Sequence, residues 1–271
     1  MTYRAAKDSI GRALTSSELR TVQLRALDLL LEWCNREDIS CFPIYGTLLG
    51  AIRHQGYIPW DDDIDLMMPR KGYQLLRRAR WIGDLKVGGY MGDSDYPYMN
   101  VKIGDPRTIV TKDGFYEAGL GAGVDVFPID SIGRGPLRLL QRFLIGSLVK
   151  VLSFQTLVSN DRRPKHKNLA VVIVAPISRL IARRWLLQML DAVARGFPPG
   201  LAQGVLVGSY QWSVPSDFLK PAGSLPFEGR TLPSPSRPSE VAKALYGNDF
   251  MVPPPLDNRA SHHSFVVHWR E

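Results

Sequence analysis

Residues 60–69 have the sequence WDDDIDLMMP, in which four acids in five positions introduce an apolar run that predicts a β-strand over Asp63 to Met68. Because alternate side chains of a strand share a face, Asp61, Asp63 and Asp65 are predicted to project together. Three like charges on one face repel each other unless a cation lies among them, and hard divalent ions such as Mg²⁺ prefer carboxylate oxygens. The segment therefore predicts a metal site. The ordinary alternative is an acidic loop that caps a helix or forms a turn.

A glycine turn before a short helix supplies the second half of a phosphate-transfer site. Residues 45–50 have the sequence YGTLLG and follow a β-rich run over Ser40 to Tyr45. Such a turn directs backbone N–H groups and the positive end of the helix toward an anion. Gly46 and Thr47 are therefore predicted to bind a substrate phosphate, although a simple N-cap would explain the same residues.

The third carboxylate of the predicted site is Asp125. It lies in an apolar strand predicted over Gly123 to Ile129, where an unpaired acid would be costly to bury. Two-metal centres commonly take carboxylates from separate strands, and a carboxylate can also take the proton of an attacking hydroxyl. Asp130, at the end of that strand, is predicted instead to cap the following turn.

Cations near these segments are candidates for the phosphates of a substrate. Lys102 and Arg107 follow a strand predicted over Tyr98 to Ile103, and Arg53 and His54 follow the glycine turn. A solvated surface charge is the ordinary alternative for each of them. The tail adds Asn258, Arg259, His262 and His263, which are expected at the surface without a metal.

The composition is that of an ordinary globular protein, which excludes disordered and collagen-like chains. The 271 residues are 45% hydrophobic and 22% charged, and Cys34 and Cys41 lack a second pair for a zinc site. A formal charge of +8 attracts phosphates, nucleic acid or an anionic membrane. We recognise neither a secretory leader nor an apolar run of about 18 residues. We therefore expect a cytoplasmic protein that is at most peripheral at the inner face of the membrane.

The order of periodic segments predicts a mixed α/β chain (α+β) that forms one domain over residues 1–271. A helix is predicted over Thr15 to Glu37, opened by a capping box, and a basic helix over Lys71 to Arg80. A helical insertion is predicted over about 135–200. A proline-rich tail over about 214–271, with one short helix over Ser239 to Tyr246, is predicted to wrap over the core.

The insertion alternates apolar and basic stretches, which suits either contact with an anionic membrane or a solvated basic cap. Its basic residues include Arg162, Arg163, Lys165, Lys167, Arg179, Arg183 and Arg184. Nucleic acid is not an expected partner, because neither an aromatic-rich RNA-binding strand nor a DNA-reading helix motif is recognisable.

Three segments resemble motifs of the LicD family of phosphotransferases, which includes bacterial phosphocholine transferases and fukutin-related proteins within the nucleotidyltransferase superfamily. They are GTLLGAIRH over residues 46–54, GYIPWDDDID over 56–65 and DVFPID over 125–130. In the tail, PFEG over 226–229 and YGNDFM over 246–251 also resemble the family's ending. The helical insertion is the least matched part, and the zinc-binding cysteines of some members are missing from this chain.

The resemblance implies a nucleotidyltransferase-like mixed sheet and a metal-dependent enzyme that transfers a phospho-alcohol, with phosphocholine as the first choice. The donor would be CDP-linked, the acceptor a hydroxyl of a cell-surface glycan such as lipopolysaccharide, free or lipid-linked, and the product CMP. Asp63, Asp65 and Asp125 would be the catalytic, metal-binding acids, with one or two Mg²⁺ or Mn²⁺ ions. The four candidates for the donor phosphates are Gly46, Thr47, Arg53 and Lys102.

Three alternatives stay open at this point. The enzyme could use another CDP-alcohol, such as CDP-ribitol or CDP-glycerol, or it could use a nucleotidyl donor. A protein of another class would bind a glycan or a nucleotide without catalysis. The intact set of three aspartates argues against that last alternative, because binding alone does not require clustered carboxylates.

Overall fold

The chain folds into a mixed α/β structure, known from a computed structural model that describes residues 10–90, 96, 98–112, 115–116, 120–157, 180–205, 212–255, 257, 259 and 265–271. The helices are α1 Ser16–Arg36, α2 Tyr45–His54, α3 Arg70–Leu76, α4 Pro136–Leu157, α5 Arg183–Arg195 and α6 Pro238–Tyr246, with a 3₁₀ turn at Ser216–Leu219. The strands are β1 Ile10–Ala13, β2 Phe42–Pro43, β3 Asp65–Pro69, β4 Trp81–Ile82, β5 Leu85–Gly88, β6 Val101–Gly104, β7 Thr108–Lys112, β8 Phe115–Tyr116, β9 Gly123–Gly133, β10 Pro199–Gly204, β11 Val214–Pro215, β12 Pro221–Phe227, β13 Arg230–Pro235 and β14 Phe265–Arg270. The predicted α+β class is confirmed.

The central sheet has eight strands, and β9 is its hub. β9 pairs in parallel with β3 and antiparallel with β6 and β10, while β2, β5, β4 and β11 extend the sheet. A second sheet has the order β1-β14-β7-β8, and β12 and β13 form a separate hairpin. The parallel pair of β3 and β9 therefore lies inside the sheet, where its position is fixed from both sides.

Helix α1 begins as its sequence predicts. Thr15 is the N-cap, its hydroxyl accepts from the Glu18 N–H, and the Glu18 carboxylate accepts from the Thr15 N–H. This reciprocal pair satisfies two N–H groups that a helix start leaves open. The buried face of α1, which includes Leu27 and Leu30, packs against apolar side chains of the central sheet.

Both faces of β3 are buried, so its sequence after Asp65 is a continuous apolar run and does not alternate between apolar and polar residues. Leu66 and Met68 pack on the α1 side, whereas Met67 packs with Phe42, Leu48 and residues of the tail. Since Asp65 is two residues from Met67, its side chain projects toward the face covered by α2 and the tail. The acids are thereby placed between the sheet and these two segments.

The strands around the acids differ from the predicted ones at three points. β3 begins only at Asp65, because Asp61 to Ile64 form an extended approach to the sheet without ladder pairing. β9 continues past Ile129 to Gly133, because its second half pairs with β10. The tail supplies four strands, β11 to β14, in addition to the short helix predicted there.

The predicted helical insertion contains two helices, α4 and α5, that pack together and against β9. Ile145, Leu187 and Leu190 form a small core there with Ile132. Residues 158–179, and with them the basic positions from Arg162 to Arg179, lie outside the described residues. Within the described ranges, no helix is long and apolar enough to cross a membrane.

Candidate active site

Three charged residues lie side by side on adjacent strands of the central sheet. Asp65 on β3 is the register partner of Asp125 on β9, and Asp125 is the partner of Lys102 on β6. Side chains at paired positions project from the same face, so the three form a line across the sheet, called here the charged row. The sheet therefore brings together three residues that the sequence nominates separately for metal or phosphate.

Asp125 is held by two donors on its two carboxylate oxygens. Asn100 Nδ2 donates to Oδ1 over 2.7 Å, and Lys102 Nζ lies 3.3 Å from Oδ2. Asn100 also contacts the buried Tyr96 hydroxyl, with 2.9 Å between Nδ2 and the phenolic oxygen. These partners fix the direction of the Asp125 carboxylate. Asn100 is a positioning residue that the sequence did not predict, because a lone Asn before a strand carries no distinctive signal.

Asp65 is placed by the helix that precedes it in the chain. Its backbone N–H donates to the Thr47 hydroxyl over 2.8 Å, and its carbonyl accepts from the Ile44 N–H over 3.1 Å. The Thr47 side chain is buried, so in this structure it joins α2 to β3. The Thr47 hydroxyl can still donate its hydrogen, so a contact between Thr47 and a donor phosphate remains a prediction.

The carboxylates of the acidic segment act on one another. Burial and the negative charges of Asp63, Asp125 and Asp61 raise the pKa of Asp65 well above its ordinary range, and Lys102 opposes this shift. A carboxyl group surrounded by like charges gives up its proton more readily when a cation arrives. The four acids therefore interact electrostatically, even though only Asp65 and Asp125 lie on strands.

Gly46 allows the Asp61 carboxylate to lie against the start of α2. A Cβ at position 46 would fall inside the contact distance of Asp61 Oδ2, so any larger residue must displace that side chain. The preceding Tyr45 has a φ of 47°, which turns the chain sharply into the helix. Thus the glycine brings Asp61 close to the helix N-terminus instead of leaving that end of α2 open to solvent.

The tail clamps the turn that leads into the acidic segment. Glu228 and Gly229, with φ of 50° and 73°, form the tight turn between β12 and β13. The Glu228 N–H donates to the Gln55 carbonyl over 2.9 Å, and its carboxylate accepts from the Tyr57 N–H over 3.0 Å. Glu228 is thus a positioning residue, and the signal that could have found it is the PFEG motif itself.

Two arginines that are far apart in the chain lie near each other. Arg53 lies in the last turn of α2 and donates from Nη1 to the Phe250 carbonyl over 3.1 Å, while the Arg259 guanidinium lies 5.2 Å from the centre of the Trp60 ring. Burial and the nearby charge of Arg259 lower the pKa of Arg53. A pair of guanidiniums is a suitable place for a doubly charged anion. The sequence predicted Arg259 at the surface, because its contact with Trp60 joins residues that are far apart in the chain.

The predicted turn-capping role of Asp130 is wrong. Since β9 continues beyond it, Asp130 lies inside the strand, where its carboxylate accepts from Arg70 Nε over 2.6 Å and also from Arg70 Nη2. Arg70 Nη1 reaches Asp191 of α5 over 2.7 Å. This buried ion network joins α3, β9 and α5. Arg107 also serves structure, because its guanidinium binds the adjacent Asp105 carboxylate.

A divalent cation fits the chemistry of the acids, although their geometry is not that of a closed ligand set. Among the described residues, no three His, Cys, Asp or Glu side chains stand in an arrangement ready to hold a metal ion. The donor atoms are hard carboxylate oxygens, and their mutual repulsion acts on Asp65. Asp63, Asp65 and Asp125 are therefore the residues that would hold a metal.

Comparison with known proteins agrees with the motifs. Residues 38–131 match the model of the LicD/FKTN/FKRP nucleotidyltransferase domain. This part of the chain is similar to LicD domains. The chain is also 27% identical over 262 residues to lipopolysaccharide cholinephosphotransferase LicD of Haemophilus influenzae, which spans 93% of this chain and 97% of that protein. The family resemblance is confirmed, and the two matches support the prediction of a phosphotransferase enzyme.

The segment that matches the LicD model contains the whole charged row. It runs from just after α1 through most of β9, and so includes α2, the acidic segment and β6. The match ends at residue 131, before α4. Glu228 and Arg259 of the tail lie outside this segment. The matched segment therefore builds the charged row, and the tail adds contacts from outside it.

Proposed function

We propose that this protein transfers a phospho-alcohol, phosphocholine in the first instance, from a CDP-linked donor to a sugar hydroxyl of lipopolysaccharide or a similar surface glycan. The observation that carries this proposal is the charged row, in which two carboxylates and a lysine line one face of the sheet beside α2. The similarity to a lipopolysaccharide cholinephosphotransferase supports the choice of substrates. The acceptor identity and the CDP link belong to the proposal.

The transfer step requires an attacking hydroxyl, a leaving nucleotide and a proton acceptor. The acceptor oxygen forms a bond to the phosphorus that bears the alcohol, and the bond from that phosphorus to the bridging oxygen breaks. CMP leaves with the electron pair, and the hydroxyl proton passes to a carboxylate of the acid cluster. Such reactions depend mainly on alignment and on neutralising the phosphate charge, so fixed groups suffice for much of the catalysis.

The residues around the acids suit these requirements. Lys102 offers an ammonium group next to Asp125, and Arg53 and Arg259 offer guanidiniums at the side formed by α2 and Trp60. Phosphate oxygens are good partners for both kinds of cation. We assign the donor phosphates to the space between these cations, whereas the predicted contact of Gly46 and Thr47 with a phosphate would require the Asp61 carboxylate to leave the start of α2.

A Mg²⁺ or Mn²⁺ ion completes the proposed site. Asp63, Asp65 and Asp125 would hold it, and when bound it would neutralise the phosphate charge. Asp125, whose two oxygens are already directed by Asn100 and Lys102, is poised either as a ligand or as the acceptor of the hydroxyl proton. One ion or two would satisfy the same residues.

A screen of CDP-alcohols tests the proposal. Purified protein is incubated with CDP-choline, CDP-ribitol, CDP-glycerol or a nucleotide sugar, with Mg²⁺ or Mn²⁺ and a lipopolysaccharide acceptor, and CMP release and acceptor labelling are both measured. CMP release with CDP-choline that is absent from Asp65→Asn supports the proposal. Labelling from the nucleotide sugar alone, or tight binding of every donor without turnover, would contradict it.

The place of action is also part of the proposal. We expect a protein that works on the cytoplasmic side, where nucleotide-linked donors are made, on a free or lipid-linked acceptor. The predicted contact of the basic link around Arg162 to Lys167 with anionic lipid stays a prediction, since that link lies outside the described residues.

A further inference from the structure

The outer face of the α4–α5 pair carries large apolar side chains that contact water. Leu139 and Phe143 of α4 are 72% and 70% exposed, and Trp185 and Met189 of α5 are 65% and 50% exposed. Each pair is spaced by four residues, so each forms a ridge along its helix. Soluble proteins rarely leave a group of this kind uncovered.

These ridges face away from the core that the same helices build. α4 turns Gln141 and Ile145 inward, and α5 turns Leu187 and Leu190 inward, onto the face of the sheet near Ile132. The exposed ridges therefore lie on the opposite sides of both helices. Their exposure is not explained by packing within the described part of the chain.

The charges beside the ridges are of one sign. Arg138, Arg142 and Lys150 of α4 are exposed, and α4 contains no acidic residue. The acid of α5 is Asp191, which is buried and bonded to Arg70. Apolar side chains flanked by cations, with an exposed Trp among them, are typical of helices that rest in the interface of an anionic bilayer.

The edge of the sheet continues this surface. Leu201 of β10 is 84% exposed and lines an open groove with Arg134 and Arg138, where the chain enters α4. A groove with two arginines and an apolar rim suits a lipid headgroup phosphate and the first carbons below it. The surface formed by the two ridges, Leu201 and these arginines is called here the docking face.

We infer that the docking face binds the surface of an anionic membrane, with the apolar ridges in the headgroup region and the arginines on lipid phosphates. A second copy of this chain is a poorer occupant. A two-fold contact through this face would place two faces of the same positive charge against each other, and like charges oppose such contacts. A bilayer offers the opposite charge and an apolar layer together.

Co-sedimentation with vesicles tests this inference, and it is measured without substrate, so its outcome is independent of the transfer reaction. The full chain is mixed with phosphatidylcholine vesicles that contain either no anionic lipid or about a quarter phosphatidylglycerol. We expect binding to the anionic vesicles, weakening as salt rises from about 0.05 to 0.5 M. Absence of binding at low salt would overturn the inference.

Two double variants separate the apolar and the charged contributions. Phe143→Gln with Trp185→Gln removes the ridges and should weaken binding at least about tenfold. Arg138→Gln with Arg142→Gln should weaken it about 30-fold, since each cation near an anionic surface contributes a factor of about five. The matched controls change exposed residues elsewhere: Trp81→Gln with Leu75→Gln for the first variant, and Arg36→Gln with Arg80→Gln for the second.

The remaining outcomes are also decisive. If the test and control variants lose vesicle binding equally, the assay reports net charge or general hydrophobicity, and the docking face is rejected. A wild-type dimer that becomes monomeric in the Phe143→Gln, Trp185→Gln variant, without vesicle binding, would identify the face as an interface between copies. If that variant is unfolded, as judged by its thermal unfolding, Leu139→Gln alone probes the same ridge.

Discussion

Asp65 and Asp125 are register partners on two parallel strands, β3 and β9, and the Asp125 N–H donates to the Ile64 carbonyl over 3.0 Å. Sixty residues separate them in the chain, yet the ladder fixes their spacing more firmly than any loop could. The two carboxylates lie side by side near the starts of their strands, so each is next to the other's charge. Sites built on strands in this way are held to their geometry by the whole sheet.

Asp125→Asn should abolish most of the turnover and leave the fold intact. Asparagine keeps the volume and can still bond to its neighbours, but it loses the charge needed for a metal ligand or a proton acceptor, so a fall of at least ~10²-fold is expected. The measurement is CMP release per folded molecule, with folding checked by urea unfolding.

Asp130→Asn is the matched control on the same strand. It removes a partner of the buried Arg70 and should cost ~3 kcal/mol of unfolding free energy, because a charge is left incompletely paired. Turnover per folded molecule should remain near normal. The reverse pattern, with normal turnover in Asp125→Asn and loss in Asp130→Asn, would move the catalytic role along β9.

Gly46→Ala should reduce activity without unfolding the protein. The added methyl group would displace the Asp61 carboxylate from the start of α2, so we expect a fall in turnover of about tenfold or more and a higher requirement for metal. The control is Gly146→Ala in α4, where a Cβ would meet no atom within 4 Å. That change should leave activity unchanged and raise stability by ~0.5–1 kcal/mol.

Lys102→Gln should lower kcat/KM for the donor by about ten- to 100-fold, because it removes the cation of the charged row. Most of the loss should appear in KM if Lys102 binds the donor phosphates. Arg107→Gln serves as control, since Arg107 binds Asp105 and not the row. Equal losses in both variants would indicate that only the overall positive charge matters.

The stability of the metal-free protein should depend on pH through Asp65. Its pKa is raised in the folded protein by burial and by its acidic neighbours, so the folded chain holds this proton more tightly than the unfolded chain. The contribution to stability is then present at low pH and is lost as pH rises through the folded-state pKa. The wild type should therefore lose more of its Tm than Asp65→Asn as the pH rises above the ordinary range of an aspartate pKa.

Mg²⁺ should reverse this loss. A metal ligand must be deprotonated, so the ion binds more tightly at the higher pH and stabilises the folded protein most there. The readout is the difference in Tm between wild type and Asp65→Asn, measured with and without Mg²⁺. Taking this difference cancels the contributions of the other titrating groups to Tm. A Mg²⁺ effect that is identical in the two proteins would place the metal elsewhere.

The local patterns were sufficient for the start of α1 and for selecting the acids, whereas the basic helix predicted over Lys71 to Arg80 is wrong at its end, because α3 ends at Leu76. The capping box of Thr15 and Glu18 gave the start of α1, and the acidic segment gave Asp63 and Asp65 as candidates, because both signals lie within a few consecutive residues. The charged row could not be predicted, since pairing of Asp125 with Asp65 and Lys102 is a property of strand register. Periodicity predicts a strand but not its neighbour.

The tail shows where a local pattern argues against a structure that is present. Prolines such as Pro226 and Pro233 argue against strands, yet they occur within β12 and β13. Prolines are tolerated there because β12 and β13 form a two-stranded hairpin, in which each strand has an outer edge that needs no ladder donor. The contact of Arg259 with Trp60, and of Glu228 with Tyr57, depends on the return of this tail to the core, which no local pattern reveals.

The length of β9 limits the distance between the reacting centre and a lipid surface that α4 contacts. Asp125 lies near the start of this strand, and Gly133, eight residues further on, is where the chain turns into α4. At about 3.3 Å per residue, the two positions are at most roughly 26 Å apart. With the outer side of α4 resting on a bilayer, the reacting centre would lie within a few tens of ångströms of the lipid surface, so an acceptor must present its hydroxyl at a comparable height. A sugar only a few residues from its lipid anchor meets this condition, whereas the far end of a long polysaccharide must fold back.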